Sequence, residues 1–351
     1  MRMFTVLSAR KSTVRASFTA AMLLAVGCSR NTPQPRPEVS SSALAAGASS
    51  ASAPPAVTPP KPEVPSPTRL VSLPLSAYAT SIAMDDDAVY LMTSHAAYRL
   101  VAGEPAHGIR LELGIGPVLT RSAFVFWSNG AIWSAPKQGG ETRQLAKFAS
   151  QPQYFVTSGE AFAWVTLAED GVYTIQTLDH TKPRVLLSSP GELRGLVMVG
   201  DTVYFVQRPS NDSWRIGSVH LDGRPPEFGL TRKGRAPAQL TASDSIYYFD
   251  LDTRRVLSLS PDLRHEEVQL KDFVCSPIQV STRIYCACVE GLFDVDKDSH
   301  EPRVLVANRP GTITGVTSNS RAVAWTVDVG ADQLAVELLL ASELEGKARA
   351  R

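Results

Sequence analysis

The segment Val125-Phe126-Trp127-Ser128-Asn129-Gly130-Ala131-Ile132-Trp133 reads as a short apolar strand, a tight Asn-Gly turn and a second strand of alternating residues. Softer copies recur to the end of the chain: Val89-Tyr90-Leu91, Phe162-Ala163-Trp164, Val203-Tyr204-Phe205, Ile246-Tyr247-Tyr248, Ile284-Tyr285-Cys286 and Val323-Ala324-Trp325. The triplet thus appears seven times, at intervals of roughly 36 to 43 residues. A period of that length made only of short strands predicts an all-β fold, a β-propeller. A propeller is a scaffold for unrelated activities, so function has to be argued from a site.

Around that segment the unit is four antiparallel strands. In the second repeat these are Val118-Leu119-Thr120 innermost, Phe124 to Trp127 second, Ala131 to Ala135 third and Thr142 to Lys147 outermost. Outermost strands of one form recur as Ile109-Arg110-Leu111, Arg143-Gln144-Leu145, Arg184-Val185-Leu186, Glu267 to Leu270 and Arg303-Val304-Leu305. After the seventh third strand, near Leu340, no such strand follows, whereas one precedes the first repeat at Arg69 to Leu75. This accounting predicts seven four-stranded blades, the last completed by the N-terminal strand, which removes an open edge. The alternative is six blades with a stray strand at 69–75.

The repeats resemble those of bacterial propeller proteins related to the YWTD and six- to eight-bladed families. The resemblance rests on Tyr90-Leu91-Met92-Thr93, Tyr248-Phe249-Asp250 and Gly139-Gly140 ahead of Arg143-Gln144-Leu145, and it covers residues 69 to 340. It implies the fold and no particular activity.

The ends of the chain are built differently. Arg2, Arg10, Lys11 and Arg15 precede an apolar run from Ala16 to Val26, the shape of a secretory signal, too short for a comfortable membrane span. Leu24-Ala25-Val26-Gly27-Cys28 resembles a bacterial lipobox, which implies cleavage before Cys28, acylation of that cysteine and, with Ser29 after it, an outer-membrane address. Each buried CH₂ of such chains contributes ~0.8 kcal/mol, so several anchor stably. Residues 28–67 are rich in Pro, Ala and Ser and cannot bury enough apolar surface to fold, which predicts a disordered tether reaching about 100 Å where extended. The expected organisation is a signal peptide over 1–27, a tether over 28–67, a propeller over 68–341 and a polar tail over 342–351, in a bacterial cell envelope.

The 351 residues carry a formal net charge of +1, with 44% hydrophobic and 20% charged residues, which gives no electrostatic warrant for a nucleic-acid partner. Cys275, Cys286 and Cys288 lie in one repeat of a chain expected to be exported, where disulfides persist. With a turn near Ser281 to Arg283, antiparallel register brings Cys275 opposite Cys288 more nearly than Cys286, and either pairing is within reach. The expectation is a Cys275–Cys288 staple with Cys286 buried beside it.

Asp294-Val295-Asp296-Lys297-Asp298-Ser299 begins like a calcium loop but lacks its glycine and closing carboxylate, so it reads as an acidic hairpin turn, as do Asp85-Asp86-Asp87 and Asp250-Leu251-Asp252. His95, His107, His180, His220, His265 and His300 form no metal-binding pair. There is no nucleophile elbow, P-loop or dinucleotide fingerprint, and the segments assigned to the innermost strands carry almost no carboxylate or imidazole. No metal or cofactor is expected.

These observations predict a non-catalytic, lipid-anchored binding or scaffold module with a protein partner, similar in layout to the propeller lipoprotein of the outer-membrane barrel assembly machinery. The alternatives are a lectin-like propeller binding carbohydrate or cell wall, and an enzyme with its site at the central channel. Of the five tryptophans, Trp127, Trp133, Trp164 and Trp325 fall inside strands and read as inter-blade core. Trp214 follows the polar stretch Arg208-Pro209-Ser210-Asn211-Asp212-Ser213 and, with Arg208 and Asn211, is the predicted contact surface, the core being the other reading for this tryptophan.

Overall fold

The computed structural model describes residues 66–342, apart from 75–78, 94–95, 111–114, 148–149, 273, 277, 289–290, 308–311, 331–332 and 341. The signal peptide, Cys28, nearly all of the tether and the tail from 343 on lie outside the described residues.

Alternating side chains give each strand two apolar faces, and a sheet with two such faces must be covered on both. The chain solves this by standing seven sheets around an axis, each covering the next. Blades 1 to 6 span residues 79–110, 115–147, 152–189, 192–233, 240–270 and 278–307. Blade 7 takes 312–340 together with the N-terminal strand Thr68–Pro74. Each sheet is antiparallel and runs outward in chain order, except that the outermost strand of blade 7 is the N-terminal one. The innermost strands, Ala79–Met84, Ile115–Leu119, Pro152–Ser158, Glu192–Val199, Leu240–Ala242, Ile278–Val280 and Thr312–Ser318, abut one another in sequence, and the last abuts the first.

Ring closure follows the strand accounting. Thr68–Pro74 pairs antiparallel with the last strand, Gln333–Leu340, from Thr68 opposite Leu338 to Pro74 opposite Gln333. Blade number is seven. The signature turn also behaves as read: Asn129 and Gly130 have φ of 49° and 74°, the left-handed pair of a type I′ hairpin, and join Ala123–Ser128 to Ala131–Pro136.

Seven separate apolar layers fill the seven junctions between blades. Trp164 and Trp325 are wholly buried in the 2/3 and 6/7 layers, while Trp127 and Trp133 pack against the 2/3 and 1/2 layers. Blade 4 departs from the pattern. Its outer edge is split between Glu227–Phe228 and Arg232–Lys233, both pairing with Ser213–His220. Phe205 and Phe228 press on Gly217 so closely that a Cβ there would lie 2.7 Å and 2.8 Å from their rings, so only glycine fits.

The disulfide joins Cys275 to Cys286, with Cα atoms 5.0 Å apart, and not to Cys288. The register argument fails because the innermost strand begins only at Ile278, so its pairing cannot be extended back to Cys275. Cys275 and Cys286 are both fully buried in the layer between blades 5 and 6, whereas Cys288 is half-buried at its margin. The bridge spans a sequence separation of 11, for which loop-closure entropy gives about 3 kcal/mol. Replacing both bridged cysteines by serine is expected to lower the urea-unfolding free energy by about that amount. Reduction of the parent protein should reproduce the loss, and an unchanged midpoint would show that the bridge constrains nothing.

Candidate functional site

In a meander blade, the turns from innermost to second strand and the loops from third to outermost strand lie on the same face. On that face a cleft of about 680 Å³ opens across blades 1 to 3. Its inner end is made by the strand ends and turns at Met84 to Asp87, Leu119 to Arg121 and Thr157 to Gly159. Its outer end is made by Arg99, His107, Lys137 and Gln138, with Tyr90 between the two ends.

The floor is an inter-blade clasp. Lys137, one residue beyond the third strand of blade 2, is buried, and its Nζ donates to Asp85 Oδ2 in the turn of blade 1 at 2.6 Å. The ammonium also lies 5.5 Å from the Tyr90 ring centroid, a cation–π distance. Asp85 Oδ1 accepts from the backbone N–H groups of Asp87 and Ala88, and the Asp85 carbonyl accepts from Asn319 of blade 7. Burial raises the Asp85 carboxyl, but the Lys137 hydrogen bond, the two backbone donors and the ammonium charge outweigh it and hold the group below 3.8. Burial, followed by the Asp85 charge, pushes the Tyr90 phenol up to about 12.

The clasp has a second copy four blades on. Lys297, just past the third strand of blade 6, donates to Asp244 in the turn of blade 5 at 2.7 Å and lies 5.2 Å from the Tyr247 ring centroid. Burial raises the Asp244 carboxyl as well, and the Lys297 and Ser243 hydrogen bonds lead the effects that lower it overall. Burial and the Asp244 charge push Tyr247 up to about 12. The repetition assigns Lys137, Asp85 and Tyr90 to holding blades together.

The sign of the pH effect follows. A carboxyl held below its unfolded value contributes stability above about pH 3.8, and that contribution is lost as pH falls through the folded value. Lys137→Met keeps the buried stem and removes the charge. It is expected to cost about 2 kcal/mol at neutral pH, the scale of a charged hydrogen bond, and to flatten the loss of stability below pH 4. Urea unfolding between pH 2.5 and 7 reads both, and parallel curves for parent and variant would refute the assignment.

The sequence-predicted contact residues lie on the opposite face. Trp214 is a correction: it is 2% exposed and packs edge-on against Tyr248 at 5.8 Å in the layer between blades 4 and 5. The stretch before it is not a loop. Strand continues to Ser210 and resumes at Ser213, and this register turns Trp214 toward blade 5 under Arg232, whose guanidinium carbon is 5.7 Å from the ring centroid. Asn211 is exposed at the hairpin tip, and Arg208 is half-buried, donating to the Asn211 carbonyl at 2.7 Å and to Glu192 at 3.1 Å. Glu192 and Arg194, at the start of the innermost strand of blade 4, add a charged cluster at this face.

In the acidic run of blade 6, Asp294 is wholly buried and bound by Arg283 at 2.6 Å and Arg303 at 2.8 Å, and Asp296 caps the turn by accepting from Asp298 and Ser299. Among the described residues, no three His, Cys, Asp or Glu side chains gather as metal ligands would. Among the described histidines, His107 lines the cleft.

Fold and site define a seven-bladed β-propeller with a polar cleft on one face. No family model matches the chain, and no curated protein matches it in sequence. Solved structures do. The Pan2 WD40 domain of Neurospora crassa aligns with a TM-score of 0.56 at 12% identity, over 78% of this chain and 95% of that one. An oligogalacturonate lyase in complex with manganese aligns at 0.56 and 11% identity, over 71% and 84%. BamB from Moraxella catarrhalis aligns at 0.44 and 14% identity, over 73% and 81%. For the first two, at these identities, the likeness is one of fold alone.

Proposed function

We propose that the chain is a non-catalytic propeller, lipid-anchored through Cys28 in a bacterial cell envelope, that binds a protein partner. The observation that carries this reading is the recurrence of the Lys–Asp–Tyr clasp. The most buried ionisable groups of the cleft across blades 1 to 3 are engaged in holding blades together, and a second copy does the same between blades 5 and 6. Polar groups beyond the clasp are left to recognise rather than to react. The Cys275–Cys286 bridge supports export, since such bonds persist in oxidising compartments. The lipobox-like Leu24 to Cys28 supports the anchor.

Two measurements test it. Labelled palmitate should enter the parent protein and not a Cys28→Ala variant; equal labelling would remove the anchor. Crosslinking in cells, followed by recovery of the full chain tagged at Arg351, should yield one protein in stoichiometric amount. Recovery of glycan, or turnover of a substrate by the purified chain, would replace the reading with a lectin or an enzyme.

A further inference from the structure

Beyond the clasp, the cleft carries exposed charges. Asp86 and Asp87, exposed in the blade 1 turn, and Arg121, exposed in the blade 2 turn, make no ion pair with a described residue. Their backbones are nonetheless fixed. The Asp85 side chain holds the turn through Asp87 N–H, and Arg121 N–H donates across the blade junction to the Gly159 carbonyl at 2.8 Å. Both turns are therefore set before any ligand arrives, which lowers the ordering cost of binding.

We propose that this cleft binds a short, extended peptide segment carrying charges of both signs. A basic side chain sits against Asp86 and Asp87 and an acidic one against Arg121. The inference rests on the protein-binding reading and names the chemistry of the partner. In an extended peptide, side chains two positions apart share a side at about 7 Å spacing, so one segment presents both signs within a cleft of this size. Its backbone N–H and C=O groups suit Gln138 and Ser158, which line the cleft and whose side-chain polar atoms bond no described residue. A neutral saccharide fits less well. The phenol ring of the cleft, Tyr90, is buried and occupied by Lys137 on one side and Phe124 at 5.5 Å edge-on, so it offers no platform for a sugar face.

The test uses fluorescein-labelled, acetylated octapeptides with Ser at every second position, so that the charged side chains share one side of the extended chain: one alternating Lys and Glu at the remaining positions, one with only Lys there and one with only Glu, with maltohexaose as unlabelled competitor. Anisotropy with the purified full chain should show saturable binding of the alternating probe, tighter than either single-sign probe. Arg121→Glu and the pair Asp86→Asn with Asp87→Asn should each weaken it at least about tenfold, with unchanged melting and disulfide. Arg235→Glu, on the opposite face, should not. Equal affinity in all variants, no saturation, or displacement by maltohexaose would overturn the proposal. Its failure is separable from that of the scaffold reading: a crosslinked partner retained at full yield by Arg121→Glu sinks the cleft and leaves the scaffold standing.

Discussion

A variant lacking everything up to Pro74 is expected to unfold about 5 kcal/mol more readily than the parent and to scatter light on warming. Three contributions set the magnitude. Leu70, Val71 and Leu73 pack on the layer between blades 7 and 1, and partial burial places each near about 1.5 kcal/mol, the low end of the range for a large apolar side chain. Glu337, with a side chain 3% exposed, loses the Arg69 guanidinium 3.2 Å away. The last strand, Gln333–Leu340, becomes an unpaired edge, the usual template for intermolecular pairing. Urea unfolding and light scattering check both consequences. Arg69→Ala, which keeps the strand, should cost only about 1 kcal/mol. A truncated chain as stable and as monomeric as the parent would mean that the ring does not depend on its latch.

The second large effect belongs to blade 6. Asp294→Ala is expected to cost about 3 kcal/mol, because it removes a wholly buried carboxylate that accepts charged hydrogen bonds from two arginines, leaving Arg283 with Asp296 alone of the two aspartates it bonds. Asp294→Asn should cost less, since the amide oxygen still accepts one hydrogen bond. Tyr285 offers a spectroscopic check. Burial and the Asp294 charge push its phenol up to about 12, and the Asn variant, with the charge gone, should ionise it at lower pH. If Asp294→Ala matches the parent in urea, the pair of arginines is solvated and the network is dispensable.

The fold was legible because its signals are local. Apolar triplets at a regular period, an Asn-Gly turn whose φ angles only small residues adopt easily, and a count of outermost strands with one missing at the end favoured seven blades over six and predicted closure by the N-terminal strand. The errors come from places where neighbours in space decide. Cys275 lies outside the strand whose register was used to place it, and Trp214 is turned inward by a hairpin longer than its polar composition suggested. The clasp was missed because its partners come from different repeats. A signal existed: Lys137 and Lys297 follow their aspartates by 52 and 53 residues, one repeat plus the length of a blade's middle strands. The open cleft had none, since Asp86, Asp87 and Arg121 read as ordinary turn charges until the ring brings blades 1 and 2 together.

The strand that closes the ring is also the one through which residues 1–67 join the propeller. Mechanical load on that leader therefore enters at the latch. A pull away from the sheet opens the register one pair at a time from Thr68 opposite Leu338, whereas a pull along the strand loads every pair between Thr68 and Pro74 together. The direction of tension, and not only its size, decides whether the ring stays shut.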